Sequence, residues 1–554
     1  MYNNMEQMSE KNMLNQTENR PMSKKDPRPE RAYDEIAEEQ HDRNDPADKY
    51  KCYKYEDYEK DVLEKGLRRT WGDIISFILN NGNENPFLDI GHLSELYEIG
   101  LALQNKHSKK ATGQYYTPKD VAHVMATWLE KGRGMNICDV ACGTGNLILA
   151  YLDLIGKEEA VALIRNGCLY LYDSDDVALR ICEVILLLKY GKELKPFIHF
   201  IQGDFLSKQV CLPENCKVIS NPPYATVSSI NKDWEDTAVA LQTKELYSMF
   251  MEKIIQQSVS SVIITPYSFI GGTKYYALRK TMNHYNGFIV VFDNVPGNIF
   301  KGKKYGIFNT NTSNSVRAAI TVVENKTGKN GFKTTPLIRF KNEERMRLLR
   351  IDVLENFVND QYQIVSEKNS MYYKCAKDLN EIWSVWKDKS TKSLKDYIQK
   401  DGIYMLAVPN TCRYYTTASN GPMKRNGQIV LNIDDKDIFN YVYCLINSSF
   451  AYWYWRLFDG GITYPRGLLL SMPVFYDILT EDDKIFFRDI SGEMIRQSDC
   501  YIVTKNNVGL QENIKYPKVF RDKINRRLLD ILGIGTDEKI FDMVHSNTAL
   551  EENV

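Results

Sequence analysis

The eleven cysteines and seven histidines of this chain form no CxxC pair and no zinc-type spacing, so no metal centre is expected. Scattered single cysteines, with Cys138 and Cys142 flanking one Gly-rich turn, read as reduced thiols of a cytoplasmic protein rather than a disulfide framework. No apolar run approaches the ~20 residues that a membrane-spanning helix needs. The polar, mixed-charge opening of the chain is unlike a signal peptide. Charge of one sign is missing too. With 71 basic and 72 acidic residues the formal net charge is −1, so nucleic-acid contact has to come from local basic patches. There is no internal repeat, no phosphate-binding GK[ST] loop, and no PD…ExK nuclease pattern in the first 110 residues.

What remains is a 554-residue chain, 43% apolar and 26% charged, long enough for two or three domains. Residues 1–45 are polar and read as a disordered tail, with a short helix at 33–39. Residues 46–110 carry apolar groups at helical spacing, among them Leu63, Leu67, Trp71, Ile74 and Ile78, and are expected to be helical. From 111 to 327 short apolar runs alternate with helical stretches. Strands are expected at 136–140, 169–172, 198–202, 218–220, 262–265, 288–292 and 316–323. Helices are expected at 146–155, 177–190, 244–257 and 274–284. That alternation predicts an α/β fold with a doubly wound, mostly parallel, Rossmann-like sheet. Ligands of such a sheet sit beyond the carboxyl ends of its strands. After about 327 the alternation stops, and residues 328–554 read as a second, α+β unit.

Two motifs fall at expected strand tips. Asp139-Val140-Ala141-Cys142-Gly143-Thr144-Gly145-Asn146 follows the first strand and opens a helix. Gly143 and Gly145 let the backbone turn tightly and approach a ligand. Asp173 ends the next strand, where a carboxylate can accept from two ribose hydroxyls, and Asp204 ends the one after, suited to an adenine amino group. Upstream lies Gly113-Gln114-Tyr115-Tyr116-Thr117-Pro118. The missing third glycine and missing phosphate loop favour a nucleoside cofactor without phosphates, which S-adenosylmethionine fits. The second motif, Asn221-Pro222-Pro223-Tyr224, makes a rigid slot. Its Asn221 side-chain oxygen and Pro222 carbonyl can accept from an exocyclic amine and favour a pyramidal nitrogen with a free lone pair. Together the motifs suggest methyl transfer to the amino group of a base.

A base reaches such a slot only by leaving the duplex, at a few kcal/mol. Stacking returns roughly 1–3 kcal/mol per base. Tyr224 is one candidate face, Phe300 the other, with Phe308 in reserve. Lys301, Lys303 and Lys304 surround that loop and are candidate phosphate contacts.

These blocks, in this order over about residues 110–325, resemble an amino-group, N6-adenine DNA methyltransferase of the gamma class found in restriction–modification systems. Residues 112–118 match the block around the cofactor's methionine part. Asp139, Ala141, Gly143, Gly145 and Asn146 match the Gly-rich motif, Asp173 and Asp204 the ribose and adenine acids, and Asn221 to Tyr224 the catalytic motif, with Asn221 also next to the cofactor. Residues 244–250 and 265–269 resemble the next two blocks, and 293–302 the block carrying the second stacking aromatic. Val140 departs from the usual proline, and a polar insertion at 303–315 follows Phe300. The resemblance implies S-adenosylmethionine as cofactor, double-stranded DNA as partner, base flipping, a separate restriction endonuclease or a solitary role, and adenine N6 as target. Residues 445–455, Gly460-Gly461 and Met472-Pro473 resemble part of a C-terminal target recognition domain. Arg413, Tyr414, Tyr415, Lys424, Arg425, Arg456 and Arg466 are its candidate DNA contacts. Alternatives are a modification subunit that needs a separate specificity subunit, and a slot acting on cytosine N4, RNA or protein glutamine.

Overall fold

A computed structural model describes residues 117–550, apart from 301–303, 306–307, 310–315, 326–330, 368–369, 462, 506–508 and 510. All of these lie in one compact unit, Arg68–Val554; the other unit, Met1–Leu67, is outside the described residues. The tail expected at 1–45, the helix at 33–39, the helical region 46–110, the nuclease reading of the first 110 residues, Tyr115 and Tyr116 therefore lie outside them as well.

The centre is an eight-stranded sheet of β1 (Asn136–Asp139), β2 (Leu169–Asp173), β3 (Ile198–Gln202), β4 (Cys216–Ser220), β5 (Ser260–Pro266), β6 (Asn286–Phe292), β7 (Ala318–Asn325) and β8 (Gly331–Ile338). Its order is β8-β6-β7-β5-β4-β1-β2-β3. Only β7 runs antiparallel to its neighbours. The expected α/β sheet is thus present, with all seven expected strands.

Side chains alternate across it, as the two-residue strand period requires. Ile137, Ile219, Val262 and Ile264 pack under α1 (Lys119–Lys131), α2 (Asn146–Ile155) and α4 (Asp176–Tyr190), while α3 (Lys157–Arg165) adds Ala160 and Ile164 to the same core. Cys138, Val218 and Ile263 point to the opposite core, with α5 (Ala238–Thr243), α6 (Leu246–Gln257) and α7 (Tyr276–Met282). Both faces are covered, which is why the strands read as apolar runs. Asp175 starts α4 by accepting from the Val177 and Ala178 N–H groups.

The sheet does not stop at 327. β8 pairs in parallel with β6 and interrupts its ladder between Thr334 and Leu337. In that gap the Val291 N–H donates to Thr335 Oγ1 at 2.9 Å, so a hydroxyl replaces a missing backbone partner. A strand with two threonines and Pro336 hides from an apolar-run reading for this reason.

Beyond β8 the chain builds an α+β region. Strands β9 (Tyr404–Pro409), β10 (Ser419–Asn420) and β11 (Gln428–Ile433) form an antiparallel sheet. Around it stand α8 (Asn380–Lys389), α9 (Lys436–Asn447), α10 (Ser449–Phe458), α11 (Glu481–Arg496) and α12 (Lys518–Leu532). They share one aromatic core that includes Trp386, Tyr441, Phe450 and Trp455. Helix α10 is buried from Ser449 through Leu457, so it has no solvent face.

Candidate active site at the strand tips

Strands β1 and β4 are neighbours in the middle of the sheet, and their carboxyl ends carry the two lead motifs. After β1 the chain turns through Gly143 at φ +52° and Gly145 at φ +92°, both in the left-handed region. A Cβ on Gly145 would meet Cys182 Sγ at 2.5 Å, whereas one on Gly143 would meet no atom within 4 Å. The turn is therefore packed against α4 at Gly145 and open at Gly143.

Carboxylates hold this turn. Asp173, at the end of β2, accepts from the Gly143 N–H at 2.7 Å and the Asp175 N–H at 2.8 Å. Burial raises its carboxyl, and those N–H groups pull it back down. Asp139 is fully buried. Its Oδ1 lies 3.4 Å from the Ala141 N–H, and its Oδ2 has no hydrogen-bond partner among the described residues. Burial pushes this carboxyl well up. Asn146 begins α2. Asp204 is exposed at the end of β3. Its Oδ2 accepts from the Trp234 indole at 2.6 Å and its Oδ1 from the Leu206 N–H at 3.0 Å. Trp234 was not singled out in the sequence; nothing in its local pattern marks it.

At the tip of β4 the Asn221 Nδ2 donates to Thr117 Oγ1 at 2.9 Å. That bond joins residues 104 positions apart, tying Thr117 ahead of α1 to the Asn-Pro-Pro-Tyr slot. Thr117 is buried, and Pro118 leads straight into α1. Pro222 is buried; Asn221, Pro223 and Tyr224 are half-buried. The Tyr224 hydroxyl donates to the Ile264 carbonyl of β5 at 3.2 Å. Its ring meets Tyr247 edge-on at 6.2 Å and Phe300 edge-on at 6.1 Å. Tyr247 lies in the 244–250 block, whose local pattern gives no sign of this contact.

Two expectations need correction. Phe300 does come beside Tyr224, but it is 1% exposed and at an interplanar angle of 68°. It is a core ring bracing Tyr224, not an open face opposite it. Arg456 is not available to DNA. It is buried in α10, pairs with Asp293 at 3.0 Å and donates to the Leu337 carbonyl at 2.8 Å. An arginine inside the run Tyr452-Trp453-Tyr454-Trp455-Arg456-Leu457-Phe458 was the available signal, because a helix aromatic all round has no wet side.

Of the other candidate DNA contacts, Arg413, Tyr414, Lys424 and Arg466 are exposed and Tyr415 and Arg425 half-buried. Arg466 donates to the Val430 carbonyl, and Arg425 holds Thr411, Asn513 and the Glu512 carbonyl. Lys301 and Lys303 lie outside the described residues, as do the side chains of Lys304 and Phe308. No helix among the described residues is long and apolar enough to cross a membrane.

The N-6 DNA methylase family model matches residues 89–389 of this chain. A type I restriction enzyme MpnII methylase subunit from Mycoplasma pneumoniae is 24% identical over 147 residues, 24% of this chain and 26% of that protein. The matched part thus spans about a quarter of that curated relative. Among solved structures, a DrdV–DNA complex covers 74% of this chain and 60% of its own, at 14% identity and a TM-score of 0.45. A modification subunit of a type I restriction enzyme from Vibrio vulnificus covers 65% and 67%, at 13% identity and 0.35.

Proposed function

Because the chain belongs to the N-6 DNA methylase family, we propose that it is a site-specific DNA methyltransferase acting on the N6 amino group of a flipped-out adenine within a restriction–modification system. The observation that carries this is the Thr117–Asn221 hydrogen bond. It ties Thr117 to Asn221 at the tip of β4, next to the tip of β1 that carries the Gly-rich turn, and ligands of such sheets bind beyond strand ends.

S-adenosylmethionine fits the residues present. The open side of Gly143 gives backbone access, and the buried, unpartnered Asp139 Oδ2 suits a cationic group. Asp173 steadies the turn, and Asp204 offers a carboxylate at the next tip. When bound, the cofactor supplies an electrophilic methyl group. Thr117 accepts from the nitrogen end of the Asn221 amide and so orients it; the oxygen end is the acceptor proposed for the target amine. The Pro222 carbonyl is the second acceptor, and prolines on either side of the slot's middle bond hold it rigid. Both acceptors hold the amine with its lone pair free to attack. The methylated nitrogen is cationic and releases its proton to solvent, so no strong base is needed. Tyr224 supplies a stacking surface.

A second reading makes the chain a modification subunit that reads its site through a separate specificity protein. The similarity to a Mycoplasma type I methylase subunit favours it; the size of the region 328–554 favours self-sufficiency. Methylation-aware single-molecule sequencing of DNA from an unmethylated host expressing this chain, with Asn221→Ala as control, separates them. One modified adenine motif, absent in the variant, supports the first reading. A motif that emerges only with a co-expressed partner supports the second, and modified cytosine would overturn the adenine assignment.

A further inference from the structure

Between the β8 edge and the C-terminal helices lies a cavity of about 950 Å³. It is distinct from the strand-tip site, because Thr117, Asp139, Gly143, Asn221 and Tyr224 are all absent from its lining. Its charge is lopsided. Arg339, Lys374, Lys377, Arg456, Lys518 and Arg521 line it with only two carboxylates, Asp378 and Asp542.

The outer cations have partners. Lys518 pairs with Asp542 at 3.0 Å and Lys377 with Asp360 at 3.4 Å. The deeper ones are undersupplied. Arg317, Arg339 and Arg456 share the single carboxylate of Asp293. Lys374 is 3% exposed and its Nζ has no hydrogen-bond partner among the described residues; Arg339 Nη1 and Arg521 Nε also lack one. Burial is the main reason the Lys374 ammonium is brought down to about 7; Asp459 opposes that, and Arg456 and Arg317 add to it. Cations buried in excess over carboxylates are costly in a low-dielectric interior. An anion in the cavity would offset that cost.

We propose that this cavity binds a small organic phosphate of about nucleotide size. Phosphate carries up to two charges and matches the planar fork of arginine. The remaining wall includes Leu337, Phe357, Trp453 and Val544, which suits an organic body rather than a bare ion. The volume falls within the range of small-molecule pockets. A duplex backbone offers the same phosphate chemistry, and the test separates the two sources. The cavity's own chemistry is independent of the methyltransferase reading, on which only the S-adenosylhomocysteine block in the test draws.

The test is calorimetric titration of the full chain with inorganic phosphate, UMP, UTP and a short duplex. Saturating S-adenosylhomocysteine keeps nucleotides out of the strand-tip site. Lys374→Met and Arg521→Ala are the variants. The first replaces a buried ammonium that has no hydrogen-bond acceptor among the described residues by an apolar chain of similar length, and circular dichroism checks that both fold. The expected result is saturable binding of UMP or UTP, weakened about tenfold or more in each variant, with inorganic phosphate weaker. No saturable binding up to about 10 mM of any free phosphate, or binding unchanged in both variants, would overturn the proposal. So would loss of duplex binding alone, which would assign these cations to a DNA path.

Discussion

Single residues at the strand tips carry opposite demands for stability and for binding. Asp139 is buried without a second partner for its carboxylate, and burial raises its pKa. A carboxyl raised in the folded state lowers stability as pH climbs above its unfolded value of about 3.9. Asp139→Asn removes the group whose ionisation burial opposes and keeps an oxygen for the Ala141 N–H. The free variant is expected to melt about 2–4 °C higher at neutral pH, an advantage that vanishes in acid, while the thermal shift given by S-adenosylmethionine is lost. Scanning calorimetry at two pH values with and without cofactor reads both effects; a lower melting point at neutral pH would refute the account. The glycines divide differently. Gly145→Ala places a methyl against Cys182 in a left-handed turn. It should cost roughly 1–2 kcal/mol for the backbone alone, plus the clash. Gly143→Ala meets no protein atom, so it should cost only the backbone part and yet weaken cofactor binding more. Chemical denaturation and cofactor titration of the two variants check that order. The strand-end positions of the acids and glycines were legible in the sequence because each follows a short apolar run that forms a strand. Arg456 misled because its charge was weighed alone, without the aromatic run on both sides of it that marks a helix with no wet face.

At the scale of elements, the decisive contact is the one that joins β6 to α10. Asp293 follows β6, Arg317 precedes β7, Arg339 follows β8, and Arg456 comes from α10. Burial alone would push the Asp293 carboxyl up; Arg456, Arg317 and Arg339 outweigh it and hold it below the usual range. A lowered folded value means that this contribution is fully present above pH about 4 and is lost as pH falls through the folded value. Asp293→Asn leaves three arginines around a neutral amide. Breaking a buried ion pair from one side typically costs about 3–5 kcal/mol. The variant should therefore unfold at lower urea at pH 7, and the gap to the parent should narrow toward pH 3. Equal urea midpoints at pH 7 would show that the arginines are satisfied without it. Seven strands could be read as apolar runs because helices cover both faces of the sheet. β8 escaped because its ladder is completed by a threonine hydroxyl, a substitution that no hydropathy pattern encodes.

For the whole molecule, the sheet and the C-terminal region do not separate where the sequence pattern changes. A boundary at 327 removes β8 from β6, a strand buried at all seven positions. It also takes Arg339 and Arg456 from Asp293 and the Asp459 carbonyl from the Tyr267 hydroxyl. What is left exposes an apolar edge strand with unpaired backbone groups, which is a template for aggregation. The complementary piece is no better off, because β8 loses its pairing with β6 and the buried Arg456 of α10 loses the Asp293 carboxylate. A chain ended at 327 is therefore expected to be insoluble or to lack a cooperative melt, whereas the full chain should lose helix and tryptophan signals in coincident transitions. Trp383, Trp386 and Trp453 sit in the C-terminal core and Trp128 beside the sheet, so fluorescence samples both regions. A soluble 327-residue piece that melts cooperatively and binds S-adenosylmethionine would mean that the catalytic sheet is autonomous, and that the Asp293 contact serves only to set the position of the C-terminal region.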